Sequence, residues 1–114
     1  METLKGKTAV VTGGNSGIGY ATAKELKQQG ATVIITGRRK EAVDAAAAEL
    51  GVTGLVADQG NLAAIENLAD TVSTTFGKVD ILFINAGVLG GAAIEQATEA
   101  VFDQVMDISP AQNW

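Results

Sequence analysis

The stretch Val10-Val11-Thr12-Gly13-Gly14-Asn15-Ser16-Gly17-Ile18-Gly19 decides the fold of this chain. An apolar run leads into a glycine-rich turn, and an amphipathic segment follows, which is the order strand, turn, helix. Glycines lack a Cβ atom, so this backbone can turn tightly and approach a ligand closely. The N–H groups and partial positive charge at the start of the helix suit an anion. The stretch therefore predicts a phosphate cradle, with an ordinary tight turn as the alternative.

Composition limits what the chain can be. It has 114 residues, of which 46% are hydrophobic, enough for one domain with a core. The net charge of −5 argues against a general nucleic-acid or membrane-surface binder. Cysteine and histidine are both missing, which excludes disulfides and a Ser-His-Asp triad within this chain. With no long apolar run and no secretory signal, we expect a cytoplasmic protein.

Short apolar runs alternate with longer amphipathic segments along the chain. Strands are predicted at 8–11, 32–36, 53–57 and 79–84, and helices at 17–29, 40–50, 62–76 and about 98–108. This alternation predicts βαβ units and an α/β fold, a partial Rossmann-like doubly wound parallel sheet with strand order 3-2-1-4 and helices on both faces. The domain is expected to span 1–108, followed by a divergent tail at 109–114.

The helix boundaries carry local signals. Asn61 is a good N-cap, and Gly30, Gly51 and Gly77 are predicted to end the helices before them. Pro110 forbids continuation of the last helix. The predicted core includes Ile18 and Leu26 of the first helix. It also includes one face of the third, formed by Leu62, Ile65, Leu68, Ala69 and Val72.

Ligands of an open parallel sheet bind outside the carboxyl ends of its strands, where the strand order reverses. Here that point lies between strands 1 and 4. The four predicted strand ends carry Thr12-Gly13, Gly37-Arg38-Arg39, Asp58-Gln59 and Asn85-Ala86-Gly87. Their convergence on one edge favours a binding site. The alternative is a set of ordinary loop starts in which Asp58 and Asn85 cap turns.

The end of strand 2 indicates which dinucleotide would bind. NAD sites commonly place an acid there for the ribose 2′-OH, whereas an arginine accommodates the 2′-phosphate of NADP. This chain has Gly37 followed by Arg38 and Arg39, which favours NADP(H) over NAD(H). The alternative is a solvated basic pair. Cations at a helix N-terminus oppose the macrodipole unless an anion joins them, which weakens that alternative.

Two motifs recur in one known family. Residues 12–19 match the pattern TGxxxGxG, and Asp80-Ile81-Leu82-Phe83-Ile84-Asn85-Ala86-Gly87 matches a strand that ends in NNAG. Gly30-Ala31-Thr32-Val33 leads into strand 2 as in that family, and 102–108 is similar to its fourth helix. From about residue 4 to 108 the chain resembles the N-terminal, cofactor-binding half of a short-chain dehydrogenase/reductase.

The resemblance implies a dinucleotide site and a reaction. Gly13, Asn15, Ser16 and Ile18 would contact the pyrophosphate and ribose, Arg38 the 2′-phosphate, and Asp58 the adenine amino group. Residues 85–87 would meet the adenosine ribose and the central strand. The expected cofactor-binding set is Gly13, Asn15, Ser16, Gly17, Ile18, Gly19, Arg38, Arg39, Asp58, Gln59, Asn85, Ala86 and Gly87. The family transfers hydride between a nicotinamide and an alcohol or carbonyl.

The chain departs from the family pattern in three respects. Ile84 replaces the first Asn of NNAG, and Ser109 stands where the family has its helix-4 Asn. The family's Ser and its Tyr-x-x-x-Lys pair, which carry the chemistry, have no counterpart in these 114 residues. We therefore expect no catalytic and no metal-binding residue here, and an inactive chain in isolation. The alternatives are a non-catalytic nucleotide-binding or interaction module and a truncated or constructed fragment without nucleotide affinity.

Two further expectations concern surfaces. Tyr20 and Lys24 have the Tyr-x-x-x-Lys spacing but lie on the first helix, so we expect both to face solvent rather than act in catalysis. Strand 79–84 is apolar and would lie at an uncovered edge of the sheet. Its unpaired backbone groups predict a homo-oligomer formed through this edge or the C-terminal segment.

Overall fold

A computed structural model describes residues 3–14, 17–58 and 61–84 of the chain. The elements run in the order β1 (Thr8–Thr12), α1 (Gly17–Gln28), β2 (Thr32–Gly37), α2 (Lys40–Leu50), β3 (Thr53–Val56), α3 (Leu62–Phe76) and β4 (Ile81–Ile84). The predicted loop at 87–91, the helix at 98–108 and the tail at 109–114 lie outside this part of the chain. No helix in the described ranges is long and apolar enough to cross a membrane.

The strands form one parallel sheet in the order β3-β2-β1-β4, which confirms the predicted topology. Thr12 of β1 is paired with Thr36 of β2 on one side and with Ile84 of β4 on the other. Thr36 is paired in turn with Leu55 of β3. The carboxyl ends of the strands are therefore in register at one edge of the sheet, as the site hypothesis requires.

Helices cover both faces of the sheet. On one face α3 packs Ile65, Leu68, Ala69 and Val72 against a core that includes Val10, Ile34 and Leu82. On the other face α1 and α2 cover Ala9, Val11, Val33 and Ile35. Alternate residues of β1 and β2 are thus buried on opposite faces, which explains why the strands read as continuous apolar runs.

The predicted helix boundaries are largely confirmed. The Asn61 side chain accepts a hydrogen bond from the Ala64 N–H at 3.2 Å, so it caps α3. Gly51 ends α2 with φ of 71°, in the left-handed region that glycine adopts without strain. Leu62 is the exception on the predicted apolar face of α3. It is 54% exposed because it lies at the first helical position, before the turns of α3 that pack on the sheet.

Strand β4 begins two residues later than predicted. The Asp80 N–H donates to the Thr8 carbonyl at 2.8 Å, and the Thr8 N–H donates to Asp80 Oδ2 at 2.9 Å. A side-chain carboxylate therefore takes the place of a ladder carbonyl, and regular pairing starts only at Ala9 and Ile81. Val79, before the strand, is still buried in the α3-side core.

Within the described residues β4 has a neighbouring strand, β1, on one side only. Leu82 is buried, whereas Ile81, Phe83 and Ile84 are half-buried. This placement agrees with an edge position for an apolar strand. It does not show an oligomer, which stays a prediction.

Candidate functional site

The turn after β1 has the backbone conformation that its glycines allow. Gly13 has φ of 66° and Gly17 has φ of 59°, both in the left-handed region that side chains with a Cβ disfavour. A Cβ on Gly17 would meet no heavy atom within 4 Å, so the backbone rather than crowding requires glycine there. The turn thus brings α1 out from the end of β1 with its N-terminus at the sheet edge.

Gly14 holds this turn against the neighbouring strand. Its N–H donates to the Thr36 carbonyl at 3.1 Å. A Cβ on Gly14 would lie 2.6 Å from Ile35 Cγ2, closer than real atoms approach. The glycines of this turn were predicted to let the backbone approach a ligand. The structure adds a packing reason for Gly14, the close contact with β2, which no local sequence pattern predicts.

The N-terminus of α1 is suited to an anion. Its first turn carries no acidic residue that would compete with an anion for the N–H groups and dipole of the helix. Ile18 is 71% exposed, and the expectation that it belongs to the core is wrong. As the second residue of the helix it projects at the sheet edge, where the sheet offers no surface to bury it. An exposed isoleucine beside a phosphate-type turn agrees with its other predicted role, contact with a ligand.

The end of β2 presents two cations. Arg38 and Arg39 are exposed, and neither forms an ion pair with a carboxylate of residues 3–14, 17–58 or 61–84. Arg39 occupies the N-cap position of α2 and makes no side-chain cap. The next cation, Lys40, is instead paired with Asp44 at 2.6 Å. The arginine pair at a helix N-terminus is an electrostatic arrangement that a bound anion would stabilise.

The ends of β2 and β3 are tied together. The Ala57 N–H donates to the Gly37 carbonyl at 2.9 Å, and the Asp58 carbonyl accepts from the Asn61 N–H at 2.9 Å. Arg38 and Asp58 therefore leave adjacent strand ends on the same edge as Gly13. The predicted site residues Asn15, Ser16, Gln59, Asn85, Ala86 and Gly87 lie outside the described residues, so their roles stay predictions.

The Tyr20 and Lys24 pair has a different arrangement from the one expected. Lys24 is exposed, but Tyr20 is half-buried and packs against the core on the α1 side. Its hydroxyl donates to Glu49 Oε1 of α2 at 2.5 Å. That hydrogen bond to a carboxylate raises the pKa of the Tyr20 phenol above its ordinary value. The expectation that Tyr20 faces solvent is therefore met only in part, because the phenol bridges α1 and α2 while remaining partly exposed. A raised pKa does not favour a general acid/base role.

Thr36 is a residue that sequence reasoning did not single out. It is 2% exposed and is the second-last residue of β2, on the same face of the sheet as Ile34. The available signal was a threonine following three consecutive apolar β-branched residues. That signal is weak, since threonine is common in strands.

The geometry defines one edge with a glycine turn, a helix N-terminus whose first turn carries no acidic residue, and two arginines. No cluster of potential metal ligands occurs in the part of the chain that the structure describes. These donors fit a phosphorylated dinucleotide: the turn and helix N-terminus suit a pyrophosphate, and the arginines suit a further phosphate.

The sequence pattern of the short chain dehydrogenase family matches residues 7–110. The chain belongs to this family. It is 46% identical over 92 residues to oxidoreductase asL5 of Sarocladium schorii, covering 76% of this chain and 36% of the relative. It is 34% identical over 112 residues to the NADP-dependent (R)-specific alcohol dehydrogenase of Lentilactobacillus kefiri, covering 95% of this chain and 44% of that enzyme.

A solved structure shows the same architecture. The NADP active-site complex of Pseudomonas aeruginosa RhlG superimposes with a TM-score of 0.77 at 30% identity, over 92% of this chain and 46% of that one. The chain thus spans less than half the length of each of these three proteins. The comparisons confirm the family and the Rossmann-like fold that the motifs predict.

Proposed function

We propose that this chain is the NADP(H)-binding portion of a short-chain oxidoreductase that transfers hydride between NADP(H) and an alcohol or carbonyl compound. The observation that carries the proposal is the arginine pair at the end of β2. Neither Arg38 nor Arg39 has a carboxylate partner within the described residues, and both lie beside the phosphate-type turn. The NADP named for the Lentilactobacillus kefiri enzyme and the Pseudomonas aeruginosa complex supports the choice of cofactor.

Each part of the edge has a role in this proposal. The N–H groups at the start of α1 bind the pyrophosphate, and Gly13 and Gly17 let the backbone approach it. Arg38 pairs with the 2′-phosphate through its planar guanidinium, and Arg39 adds to the local positive potential. Asp58, at the end of β3, accepts from the adenine amino group. When bound, the nicotinamide supplies or accepts the hydride.

We infer that this chain binds the cofactor without turning it over. Reduction of a carbonyl needs a proton donor at the carbonyl oxygen with a pKa near the working pH. By family resemblance that donor is a Tyr in a Tyr-x-x-x-Lys pair, and Tyr20 is committed to Glu49 instead. A non-catalytic nucleotide-binding module would share the same edge, so turnover separates the two functions.

The test is a titration of the purified chain with NADPH and NADH, followed by cofactor fluorescence. We expect NADPH to bind with a dissociation constant below ~1 mM. We expect NADH to bind roughly 10- to 100-fold more weakly, because a charge-assisted contact to the 2′-phosphate is lost. Absence of NADPH binding would overturn the proposal. Oxidation of NADPH by the isolated chain with a panel of carbonyl compounds would overturn only the inference of inactivity.

We also propose that the chain self-associates through the side of β4 that has no described neighbouring strand, and that it acts in the cytoplasm. The half-buried Ile81, Phe83 and Ile84 on a strand with one described neighbour support the association. Sedimentation at ~100 μM, well above the micromolar range in which exposed edges associate, should give a dimer or larger species. A monomer at that concentration would contradict this proposal and leave the cofactor proposal intact.

A further inference from the structure

The two buried polar side chains in the described part of the core are neighbours on the sheet. Thr12 is fully buried and Thr36 is 2% exposed, and the two are partners in the register of β1 and β2. The Thr12 hydroxyl donates to the Phe83 carbonyl at 3.5 Å. The Thr36 hydroxyl has no hydrogen-bond partner, whether among residues 3–14 and 17–58 or among 61–84.

An unpaired buried hydroxyl calls for a physical reason. Removing a hydroxyl from water without giving it a partner destabilises a fold, and such groups are uncommon in native cores. Valine has nearly the shape of threonine and would fill the same space without that cost. The preceding residues of β2 are Val33, Ile34 and Ile35, so every buried position of the strand before Thr36 carries an apolar side chain.

The position of Thr36 links it to the candidate site. It lies between Thr12 and Leu55 in the row of residues at the carboxyl edge of the sheet. Its own carbonyl accepts the Gly14 N–H, which fixes the turn after β1. Arg38, the predicted partner of the 2′-phosphate, follows two residues later. The hydroxyl is therefore buried just inside the edge of the sheet at which the adenosine end of a dinucleotide would bind.

We propose that the Thr36 hydroxyl is a positioning group for the adenosine half of the dinucleotide and acts through one bound water. The residue is too deeply buried for direct contact with a ligand at the edge. An ordered water that joins a buried polar group to a ligand is a common bridge and satisfies the hydroxyl at the same time. This inference rests on the proposed NADP(H) binding and adds to it a residue beneath the binding surface.

The test compares two substitutions at this position with a control on the same strand. Thr36→Val keeps the shape and removes the hydroxyl, and Thr36→Ser keeps the hydroxyl and removes the methyl. Thr32→Val is the control, because Thr32 is exposed at the opposite end of β2. The measurements are the thermal midpoint of the ligand-free chain and the dissociation constants of NADPH and of 2′,5′-ADP, a probe of the adenosine half alone.

We expect Thr36→Val to raise the thermal midpoint of the ligand-free chain. It should also weaken NADPH and 2′,5′-ADP alike by roughly 3- to 10-fold, the loss of one hydrogen bond. Thr36→Ser should lower the midpoint yet retain affinity, and Thr32→Val should leave affinity unchanged. A stabilised Thr36→Val chain with wild-type affinity for both ligands would overturn the inference while NADPH binding stands. Failure of the wild-type chain to bind NADPH would overturn the proposed function and, with it, this inference.

Discussion

The two ends of the sheet differ in how their polar groups are satisfied. At the amino end the backbone is closed by hydrogen bonds within the chain. Thr8 and Asp80 exchange two, the Thr32 N–H donates to the Lys7 carbonyl at 2.8 Å, and the Leu4 N–H donates to the Gln29 carbonyl at 2.7 Å. Asp80 also forms an ion pair with Lys78 at 3.5 Å. These contacts stabilise the amino end of the sheet.

The carboxyl end, called the open end below, differs in several of the residues that the structure describes. Its two arginines lack a carboxylate partner in the described chain, Ile18 is 71% exposed, and the Thr36 hydroxyl is buried without a partner among the described residues. Each of these features is unfavourable or neutral for a ligand-free domain, and under the proposed function each becomes favourable when a phosphorylated ligand is bound. If the proposal holds, the difference between the ends teaches that the same four strands serve stability at one edge and recognition at the other.

The largest expected effect is on binding at the open end. Arg38→Ala should weaken NADPH by roughly 10- to 100-fold, because a charge-assisted contact to the 2′-phosphate is lost. The affinity for NADH and the thermal midpoint should not change, since Arg38 is exposed and has no ion pair with a described residue. Lys27→Ala is the matched control, as it removes an exposed cation from the last turn of α1, at the amino end. Equal losses for NADPH and NADH would contradict the assignment.

The next effect is on stability at the closed end. Asp80→Ala leaves the Thr8 N–H without its acceptor and should lower the free energy of unfolding by about 1–3 kcal/mol. The affinity for NADPH should stay the same in the folded chain, because Asp80 lies at the far end of β4. Asp80→Asn keeps an oxygen acceptor for the Thr8 N–H and should lose less. Chemical denaturation measures the free energy of unfolding, and a NADPH titration measures the affinity. An Asp80 variant that loses affinity but no stability would contradict the difference between the ends.

A smaller effect tests a structural residue that lies at the open end. Asn61→Ala removes the cap of α3 and should cost about 1 kcal/mol of stability. Asn67→Ala is its control, because Asn67 is exposed within α3 and alanine favours the helix. If Asn61→Ala is as stable as the wild-type chain, the cap seen at Ala64 contributes nothing measurable.

The smallest effect concerns the bridge between α1 and α2 and depends on pH. The neutral Tyr20 phenol donates to Glu49, so its pKa is raised in the folded chain. The stability that this pair contributes is therefore fully present below the unfolded-state pKa of about 10 and is lost as the pH rises through the higher folded-state value. Tyr20→Phe should be slightly less stable than the wild-type chain at neutral pH, and the difference should vanish at high pH. Denaturation curves at several pH values check this; a difference that grows with pH would contradict it.

The sequence was sufficient for the topology because the signals for it are local. Continuous apolar runs marked the strands, and Asn61 and Gly51 marked helix boundaries through their own backbone preferences. The edge of the sheet that carries Gly13, Arg38 and Asp58 followed from strand order alone.

The remaining features depend on contacts between elements distant in the chain. Ile18 was predicted to be a core residue because an apolar side chain on an amphipathic helix usually is one, yet at the start of α1 it is 71% exposed. The Tyr20 hydroxyl donates a hydrogen bond to Glu49, which lies 29 residues further along the chain. The close contact of Gly14 with Ile35 and the isolation of the Thr36 hydroxyl also appear only once β1 and β2 are adjacent.

The most direct measurement is a map of backbone amide chemical shifts of the isotopically labelled chain during titration with NADPH. We expect the largest shifts at Gly13, Gly17 and Arg38, and none beyond noise at Thr8, Thr32 and Asp80. That result would place the ligand at the open end of the sheet. Shifts concentrated at the amino end, or none at saturating NADPH, would contradict the assignment of recognition to the carboxyl edge.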